Sequence, residues 1–538
     1  KEEGYAYVDV KTTLEESLDH TRGRARFEVT EGEKVIVREL ILVGNEITRE
    51  GVIRRRIALE VGEPYRTSLV RKTLERIATL NVFTSVNVAL ADPYVPQKNK
   101  TVIVTVQEAV PKFIEVRPGF STGEGIRITN EFGDRNVLGT AIGLSTRLQA
   151  SYLPDEFIFD SQVKENFQKL QQQSGIIARI AGRITVRGDF PEIGLGPLFR
   201  MGVDGVFART LNRDFVLTKK AFIPTLFFRP VRSVQFAFSP SVEQNDVEIF
   251  QNISATNASG QSCQTVTGQQ LTLDQYLTCL AQSPGNADLA RLLRVPGGTS
   301  NVIAQRIAFT WDRRNDPFNP HSGTYIASSV EHDDWYPLNQ VTGSSFNSQE
   351  YQPLQGHTLR FQETFAGYIP LGKAITLAAE LRVGTNVQMT QQSTTYPDRM
   401  FFLGGLDSMR GWTQDSFIPQ DYVDKIAQDA RKPSTDPTKF TADSIPLRGG
   451  NLMVNPKIEL RIPFSATFGG LLFADFGNLW VDATYPFNTG KIPIRCAIGP
   501  GILVYTPIGP LSLAYGINMY RHTEYEDFGA LQFSIGLF

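Results

Sequence analysis

From residue 112 to the end of the chain, short segments alternate apolar and polar side chains, and Gly, Asn, Asp and Pro separate them. The clearest of these segments are 113–117, 143–151, 232–238, 306–312, 324–331, 376–382, 457–461 and 531–538. Each is too short for a membrane helix, but a segment of about ten alternating residues suits a tilted membrane strand. The pattern therefore predicts a mainly β chain with an antiparallel transmembrane β-barrel. A soluble sandwich or propeller is the alternative, and the lack of a regular blade repeat disfavours it.

Residues 34–110 follow a different pattern, which predicts a small α+β domain. A strand rich in β-branched residues at 34–43 precedes two helical segments, the second at 68–80. Two strands in which apolar and polar residues alternate follow at 85–90 and 101–106. Thr48 is in position to cap the first helix. The order of the elements is therefore β-α-α-β-β.

The first 33 residues contain only part of a similar pattern. Two strands are predicted here, at 4–10 and 24–30, and they resemble the last two strands of the domain that follows. We therefore expect residues 1–33 to be the C-terminal part of a preceding copy of the domain.

Charge distinguishes the two parts of the chain and limits the classes of function. Of the first 110 residues 34 are charged, against 76 of the remaining 428. Lys and Arg (54) nearly balance Asp and Glu (56), which argues against a nucleic-acid binder held by a basic field. There is also no apolar run of about 18 residues that would form a transmembrane helix.

The sequence lacks the motifs of several common enzyme classes. No G-x-S-x-G, H-E-x-x-H or G-x-x-x-x-G-K-[ST] pattern occurs. His321, His332, His357 and His522 are scattered, without the spacing of metal ligands. The 3 Cys residues form no C-x-x-C pair. We therefore expect no enzymatic activity, no cofactor and no metal site.

Two motifs in the barrel region combine charged residues with glycines. One is Phe402-Leu403-Gly404-Gly405 followed by Met409-Arg410-Gly411-Trp412, and the other is Phe473-Ala474-Asp475-Phe476-Gly477. On a strand, Phe473, Asp475 and Gly477 share one face. A carboxylate in a membrane strand should face the lumen, where it needs a partner because an unpaired buried charge is costly. Glu459 and Arg461 also share one face and are candidates for the same network, with a solvent-exposed pair as the alternative.

The chain resembles one superfamily in these motifs, in a hairpin at 311–325 with two prolines, and in a last strand that ends on Phe538. It is the outer-membrane β-barrel assembly and translocation superfamily, which includes BamA, TamA and the two-partner-secretion transporters. The resemblance implies a sixteen-stranded barrel over 111–538 and makes 34–110 the last POTRA (polypeptide-transport-associated) domain. It also implies that a loop folds back into the barrel and is tethered there. The implied loop residues are Gly404, Gly405, Met409, Arg410, Gly411 and Trp412, and the implied partners are Asp475, Glu459, Phe473 and Gly477.

The resemblance implies a function in assembly. We expect a factor that folds or inserts β-barrel proteins into the outer membrane, or translocates polypeptide, without nucleotide. The expected partners are unfolded outer-membrane or secreted polypeptide clients, outer-membrane lipid, and accessory subunits bound through the POTRA domains, with no nucleic acid. The expected location is the outer membrane of a Gram-negative-type envelope rather than of an organelle, with the POTRA domain in the periplasm. A two-partner-secretion transporter of one dedicated client and, in a different class, a passive porin remain the alternatives.

A lateral seam would provide the mechanism. A closed barrel has no free edge to which a client strand could add. We therefore expect the first strand, near 112–121, and the last, near 529–538, to pair poorly and to open. A client strand would then add to the first strand by β-augmentation. The residues predicted at this seam are Val116, Gly119, Phe533, Ile535 and Phe538.

Two long polar segments, 241–300 and 384–450, are predicted to be extracellular loops, because periplasmic turns are short. Cys263 and Cys279 lie in the first of them, and we expect a disulfide between them because envelope proteins pass through an oxidising compartment. Cys496 is expected to stay unpaired. The alternative is three free thiols.

Overall fold

The structure is a computed structural model of the 538-residue chain. It describes residues 2–16, 23–250, 296–338, 356–372, 375–390, 393–433, 440–442, 445–465, 467–490, 492–506, 509–522 and 525–535. The chain forms two compact units. The first comprises Lys1–Ile114, Phe132–Thr146 and Arg187–Gly202, and the second comprises Glu115–Glu131, Arg147–Val186 and Val203–Phe538.

The first unit contains a two-stranded sheet and an α+β domain. The sheet pairs β1 (Asp9–Glu16) with β2 (Gly23–Thr30) in antiparallel fashion. The domain consists of β3 (Ile36–Val43), α1 (Glu50–Arg54), α2 (Thr67–Ala78), β4 (Phe83–Leu90) and β5 (Asn99–Glu108). In its sheet β5 lies between β3, which is parallel to it, and β4, which is antiparallel. Alternate residues of β5 face the helices, and the core is Val37, Ile53, Leu59, Ile77, Val88, Val102, Val104 and Val106.

Two detailed expectations for this unit are wrong. The strand predicted at 4–10 is β1, which begins later, at Asp9. Val10 and Leu14 of β1 are exposed, as is all of β2, so no alternation of buried and exposed positions marks the strand. Thr48 does not cap α1, whose N-cap is Arg49 with no side-chain cap bond. The Thr48 hydroxyl instead accepts a 2.9 Å hydrogen bond from Nδ2 of Asn136.

The remaining strands close into an antiparallel barrel in which β21 returns to β6. They are β6 (Lys112–Ser121), β7 (Gly125–Val137), β8 (Ile142–Tyr152), β9 (Ile180–Phe190), β10 (Phe199–Leu211), β11 (Phe215–Val231), β12 (Val234–Ile249), β13 (Gly298–Asp312), β14 (Gly323–Pro337), β15 (Gly356–Leu371), β16 (Ile375–Gln388), β17 (Leu452–Pro463), β18 (Phe468–Trp480), β19 (Arg495–Thr506), β20 (Gly509–Asn518) and β21 (Gly529–Ile535). The loops carry α3 (Ser161–Ser174), α4 (Gln420–Asp429) and α5 (Tyr485–Thr489). The predicted fold class, a sixteen-stranded barrel preceded by an α+β domain, is confirmed.

The barrel strands separate apolar and polar side chains between their two faces. On β12, Val242 is 60% exposed, whereas its neighbours Ser241 and Glu243 are buried. On β21, Leu531 is exposed while Gln532 and Ser534 are buried. An apolar outer face and a polar inner face are the arrangement that a membrane barrel requires. Among the residues described, no helix is long and apolar enough to cross a membrane.

The predicted bounds of the two long loops are too wide. Strands β12 and β13 stay paired as far as Val247 opposite Gly298, and β16 continues to Gln388. Polar residues such as Glu243 and Asn245 suggested a loop, but they are the buried inner positions of a strand. Cys263 and Cys279 lie outside the described residues. The hairpin at 311–325 is the turn between β13 and β14, and it contains Pro317 and Pro320.

Candidate functional site

The loop between β16 and β17 passes through the interior of the second unit. Met409 and Leu403 are completely buried, and Trp412 is almost so. They pack with Phe401, Phe417, Leu479 and Ala497 in one apolar cluster. Since Leu479 belongs to β18 and Ala497 to β19, the tip of this loop, residues 409–412, is bound against the inner face of the barrel.

Arg410 anchors the loop tip to Asp475 on β18. Its Nε donates to Asp475 Oδ2 at 2.8 Å, its Nη2 donates to Oδ1 at 2.5 Å, and its backbone N–H donates to Oδ2 at 3.0 Å. Both residues are buried, Asp475 completely. A planar guanidinium that meets a carboxylate with two parallel hydrogen bonds is the strongest and most directional form of ion pair available to side chains.

A second carboxylate and an aromatic ring complete the environment of Arg410. Nη1 donates to Glu459 Oε1 at 2.7 Å, while Arg461 donates to the other oxygen of Glu459 at 2.9 and 3.0 Å. The guanidinium carbon lies 3.7 Å from the centre of the Phe473 ring. The structure thus brings together Arg410, Asp475, Glu459 and Phe473, which the sequence suggested as partners. A face-on ring and two carboxylates offset the desolvation of this buried cation.

Glycines allow the tip to approach the wall. A Cβ on Gly411 would lie 1.9 Å from Asn518 Oδ1 and 2.7 Å from Ala497 Cβ, so no larger residue fits there without displacing the tip. Gly404 and Gly405 have φ angles of 110° and 95°, which favour glycine. On the wall, a Cβ on Gly477 would lie 3.1 Å from Met409 Sδ.

Trp412 is held by residues that the sequence did not single out. Its Nε1 donates to Glu526 Oε1 at 3.1 Å, and the same oxygen accepts from Arg495 Nη1 at 2.9 Å. The Arg495 guanidinium carbon lies 3.5 Å from the centre of the Phe417 ring, which also contacts Trp412. No motif marks Glu526 or Arg495, although Glu526 lies shortly before the predicted last strand.

Another arginine of the same loop is bound to a different part of the wall. Arg399 pairs with Glu243 on β12 at 3.0 Å, with Glu331 on β14 at 2.7 Å and with its neighbour Asp398 at 2.5 Å. It is 6% exposed. Sequence reasoning missed this anchor because it treated Glu243 as a loop residue.

The seam between β21 and β6 contains only two paired positions within the described residues. They are Ser534 opposite Ser121 and Ile535 opposite Phe120. Val116 and Ile535, both predicted at the seam, are therefore not opposite each other. The antiparallel register puts Val116 four positions beyond Phe120 along β6. Gly119 lies on β6 as expected, and Phe538 is outside the described residues.

Phe533 contributes to the seam through its ring. It contacts Phe120 with a centroid distance of 5.5 Å, and Phe120 in turn meets Phe157 of the β8–β9 loop at 4.8 Å. The seam is therefore closed by aromatic contacts in addition to its short ladder.

The protein is therefore a closed sixteen-stranded barrel that holds its own loop tip inside and follows a β-α-α-β-β domain. Residues 230–538 match the family model described as the Omp85 superfamily domain. The chain therefore belongs to the Omp85 superfamily, and the predicted resemblance is confirmed. Residues 35–109 match the POTRA model, described as a surface antigen variable number repeat.

Relatives with the same architecture support this assignment. The chain is 26% identical to the outer membrane protein assembly factor BamA of Neisseria meningitidis serogroup B, over 99% of this chain and 60% of the relative. It is 22% identical to the BamA of Nitratidesulfovibrio vulgaris, over 99% of this chain and 55% of the relative. The chain thus spans little more than half the length of these curated relatives. It is an outer-membrane protein whose POTRA domain lies in the periplasm.

Solved structures show the same fold. BamA from Haemophilus ducreyi lacking POTRA domains 1–3 superposes with a TM-score of 0.65 at 16% identity, covering 99% of this chain and 90% of that one. CdiB from Acinetobacter baumannii gives a TM-score of 0.50 at 9% identity, covering 99% and 78%. At these identities the likeness concerns the fold alone.

Proposed function

We propose that this protein is an outer-membrane protein assembly factor, which folds and inserts β-barrel clients through the seam between β21 and β6. The observation that carries the proposal is the difference between the two sides of β21. Seven residue pairs join β21 to β20, whereas two join it to β6 within the described residues. The names of the BamA relatives support the same activity.

The mechanism follows from the chemistry of strand edges. Each backbone hydrogen bond contributes only about 0.5–1.5 kcal/mol net, so the two pairs described between β21 and β6 contribute less than the seven between β21 and β20. An open seam exposes the edge of β6, and a client strand adds to it by β-augmentation. Each strand exchanges one set of backbone hydrogen bonds for another. The step therefore needs no nucleotide, cofactor, metal or catalytic residue.

The POTRA domain is proposed to receive clients or accessory subunits before the barrel does. Its sheet order, β3-β5-β4, puts β3 and β4 at the two edges. An extended polypeptide adds to such an edge with backbone hydrogen bonds that are largely independent of sequence. Unfolded outer-membrane proteins fit this requirement, because their future strands are extended and unpaired.

A disulfide lock tests the proposal. In a variant whose native cysteines are replaced by Ala, Ser121→Cys and Ser534→Cys would join β6 to β21 at paired positions. Ser512→Cys with Ser534→Cys would join β21 to β20, where Ser512 is the partner of Ser534, and is the matched control. Both variants are reconstituted in lipid vesicles and supplied with an unfolded barrel client. We expect the seam lock alone to abolish insertion, and reductant to restore it.

Full insertion activity with the seam quantitatively locked would contradict the proposal. The same vesicles separate the alternatives. A passive porin would conduct ions and leave client insertion unchanged, whereas a dedicated secretion transporter would move a soluble client into the vesicle lumen without inserting it. The loop tip bound inside the barrel argues against an open pore.

A further inference from the structure

Gln532 on β21 makes contacts on both sides of the seam. Its Nε2 donates to the backbone carbonyl of Trp412 at 2.9 Å and lies 3.5 Å from the carbonyl oxygen of Arg410. Its Oε1 accepts from the hydroxyl of Thr122 at 3.1 Å. One amide group therefore joins the loop tip, β21 and the turn that follows β6.

Thr122 strengthens this junction. Its backbone N–H donates to the carbonyl of Phe533 at 2.9 Å, and its hydroxyl lies 3.4 Å from the Phe533 N–H. These contacts extend the seam beyond its two ladder pairs at the end of β6 next to the turn. Within the described residues, the seam is thus held by both backbone and side-chain contacts where Gln532 meets the loop tip.

The loop tip offers Gln532 a fixed partner. Asp475 holds both the side chain and the backbone N–H of Arg410, and Glu526 holds the indole of Trp412. The backbone carbonyls that face Gln532 are therefore positioned by two independent anchors. Gln532 is 3% exposed with the tip in place, so the Trp412 carbonyl takes the position that water would otherwise occupy at its amide N–H. Losing the Trp412 contact would leave a buried donor unsatisfied, which is unfavourable.

We propose that Gln532 is a positioning residue that couples the loop tip to the seam. While Arg410 is bound to Asp475, the tip holds the Gln532 amide in the orientation that accepts from Thr122, and the seam stays closed. When the tip is displaced, the amide loses its orientation and the seam contact weakens. A glutamine suits this role because a single planar group supplies the donor and the acceptor together. The inference deepens the proposed function and rests on the seam being its site of action.

Hydrogen exchange on the full chain in lipid nanodiscs provides the test, because it reports seam opening without any client. Gln532→Leu removes both contacts at similar volume, Thr122→Val removes the seam contact alone, and Asp475→Asn releases the tip. We expect each to speed exchange at 112–122 and 529–535 by roughly fivefold, as the loss of one hydrogen bond would. Exchange in β12 and β13 should not change. Thr225→Val, which removes a hydroxyl contact to Ser239 between β11 and β12, is the control and should leave the seam unaffected.

The double variant Asp475→Asn, Gln532→Leu decides between coupling and simple packing. If Gln532 transmits the state of the tip, its loss makes the seam insensitive to Asp475→Asn, and the double variant exchanges like Gln532→Leu alone. Additive effects would overturn the inference. If Gln532→Leu does not fold, Asp475→Asn combined with Thr122→Val answers the same question. Coupling measured in this way, together with unchanged client insertion by the disulfide-locked barrel, would uphold the inference and reject the proposed function.

Discussion

The strand β21 is held differently on its two sides. On one side the register with β20 is continuous from Leu511–Ile535 to Ile517–Gly529. On the other, the described ladder with β6 has two pairs. The difference follows from the register, because β6 ends at Ser121 and the residues of β21 before Ser534 extend past that end.

Side chains compensate for the short ladder at the seam. The contacts of Phe120 with Phe533, and of Thr122 with Gln532, add to the backbone pairing at this end of β6. Side-chain contacts are local and individually weak, so they break one by one. A ladder of backbone hydrogen bonds is cooperative. In the proposed mechanism, a barrel therefore keeps a closed shape and still has one interface that opens at low cost.

Release of the loop tip should have the largest effect on the stability of the barrel and on the seam between β21 and β6. Arg410→Ala would leave Asp475 as a completely buried carboxylate without its partner, and breaking a buried ion pair costs about 3–5 kcal/mol. We expect a lower temperature for loss of the folded band in heat-modifiability gels, and faster hydrogen exchange in β6 and β21. The control is Lys169→Ala, which removes an exposed ion pair with Glu165 and should cost less than about 1 kcal/mol. A barrel as heat-resistant as the wild type would show that the tip is not an anchor.

Loss of the other anchor, Arg399, should lower the stability of the barrel without changing the seam between β21 and β6. Arg399→Ala would leave Glu331 without this cation and Glu243 and Asp398 with Lys219 alone, at a cost of up to about 3–5 kcal/mol. Glu243 lies on β12 and Glu331 on β14, and several strands separate both from β21 and β6 in the barrel. We expect faster exchange in β12 and β14 with the seam unchanged. Equal acceleration at the seam would mean that the loop acts as one rigid body.

The two anchors also show what could be predicted from the sequence. Arg410 and Asp475 were found because each lies in a motif that combines glycine, charged and aromatic residues. The fold class followed from segments of strand length in which apolar and polar residues alternate. Arg399 and Glu243 are 156 positions apart, and Thr122 and Gln532 are 410 apart. Such pairs arise only when the barrel closes and its strands take their register. Local patterns do not encode that register, so Gln532 looked like any inward polar residue.

A smaller effect is expected from crowding the loop tip without removing a charge. Gly411→Ala would place a Cβ 1.9 Å from Asn518 Oδ1, so the tip must shift, at a cost of about 1–3 kcal/mol. We expect partial loss of heat resistance and partial acceleration of exchange at the seam. Gly367→Ala on β15 is the matched control, because nothing lies within 4 Å of its added Cβ. Equal effects of the two substitutions would indicate a general loss of strand flexibility rather than displacement of the tip.

The smallest expected effect comes from the aromatic contact across the seam. Phe120→Leu keeps an apolar side chain but removes the ring that meets both Phe533 and Phe157, and such aromatic pairs contribute about 0.5–1.5 kcal/mol beyond buried area. The control is Phe236→Leu, which removes a comparable ring contact with Phe309 between β12 and β13, at a centroid distance of 5.2 Å. There a continuous ladder of backbone hydrogen bonds holds the strands, so losing one ring should not open them. Hydrogen exchange should therefore quicken at the seam in Phe120→Leu and stay unchanged between β12 and β13 in Phe236→Leu. If both interfaces respond alike, the short ladder is not what makes the seam weak, and the contrast between the two sides of β21 loses its mechanical meaning.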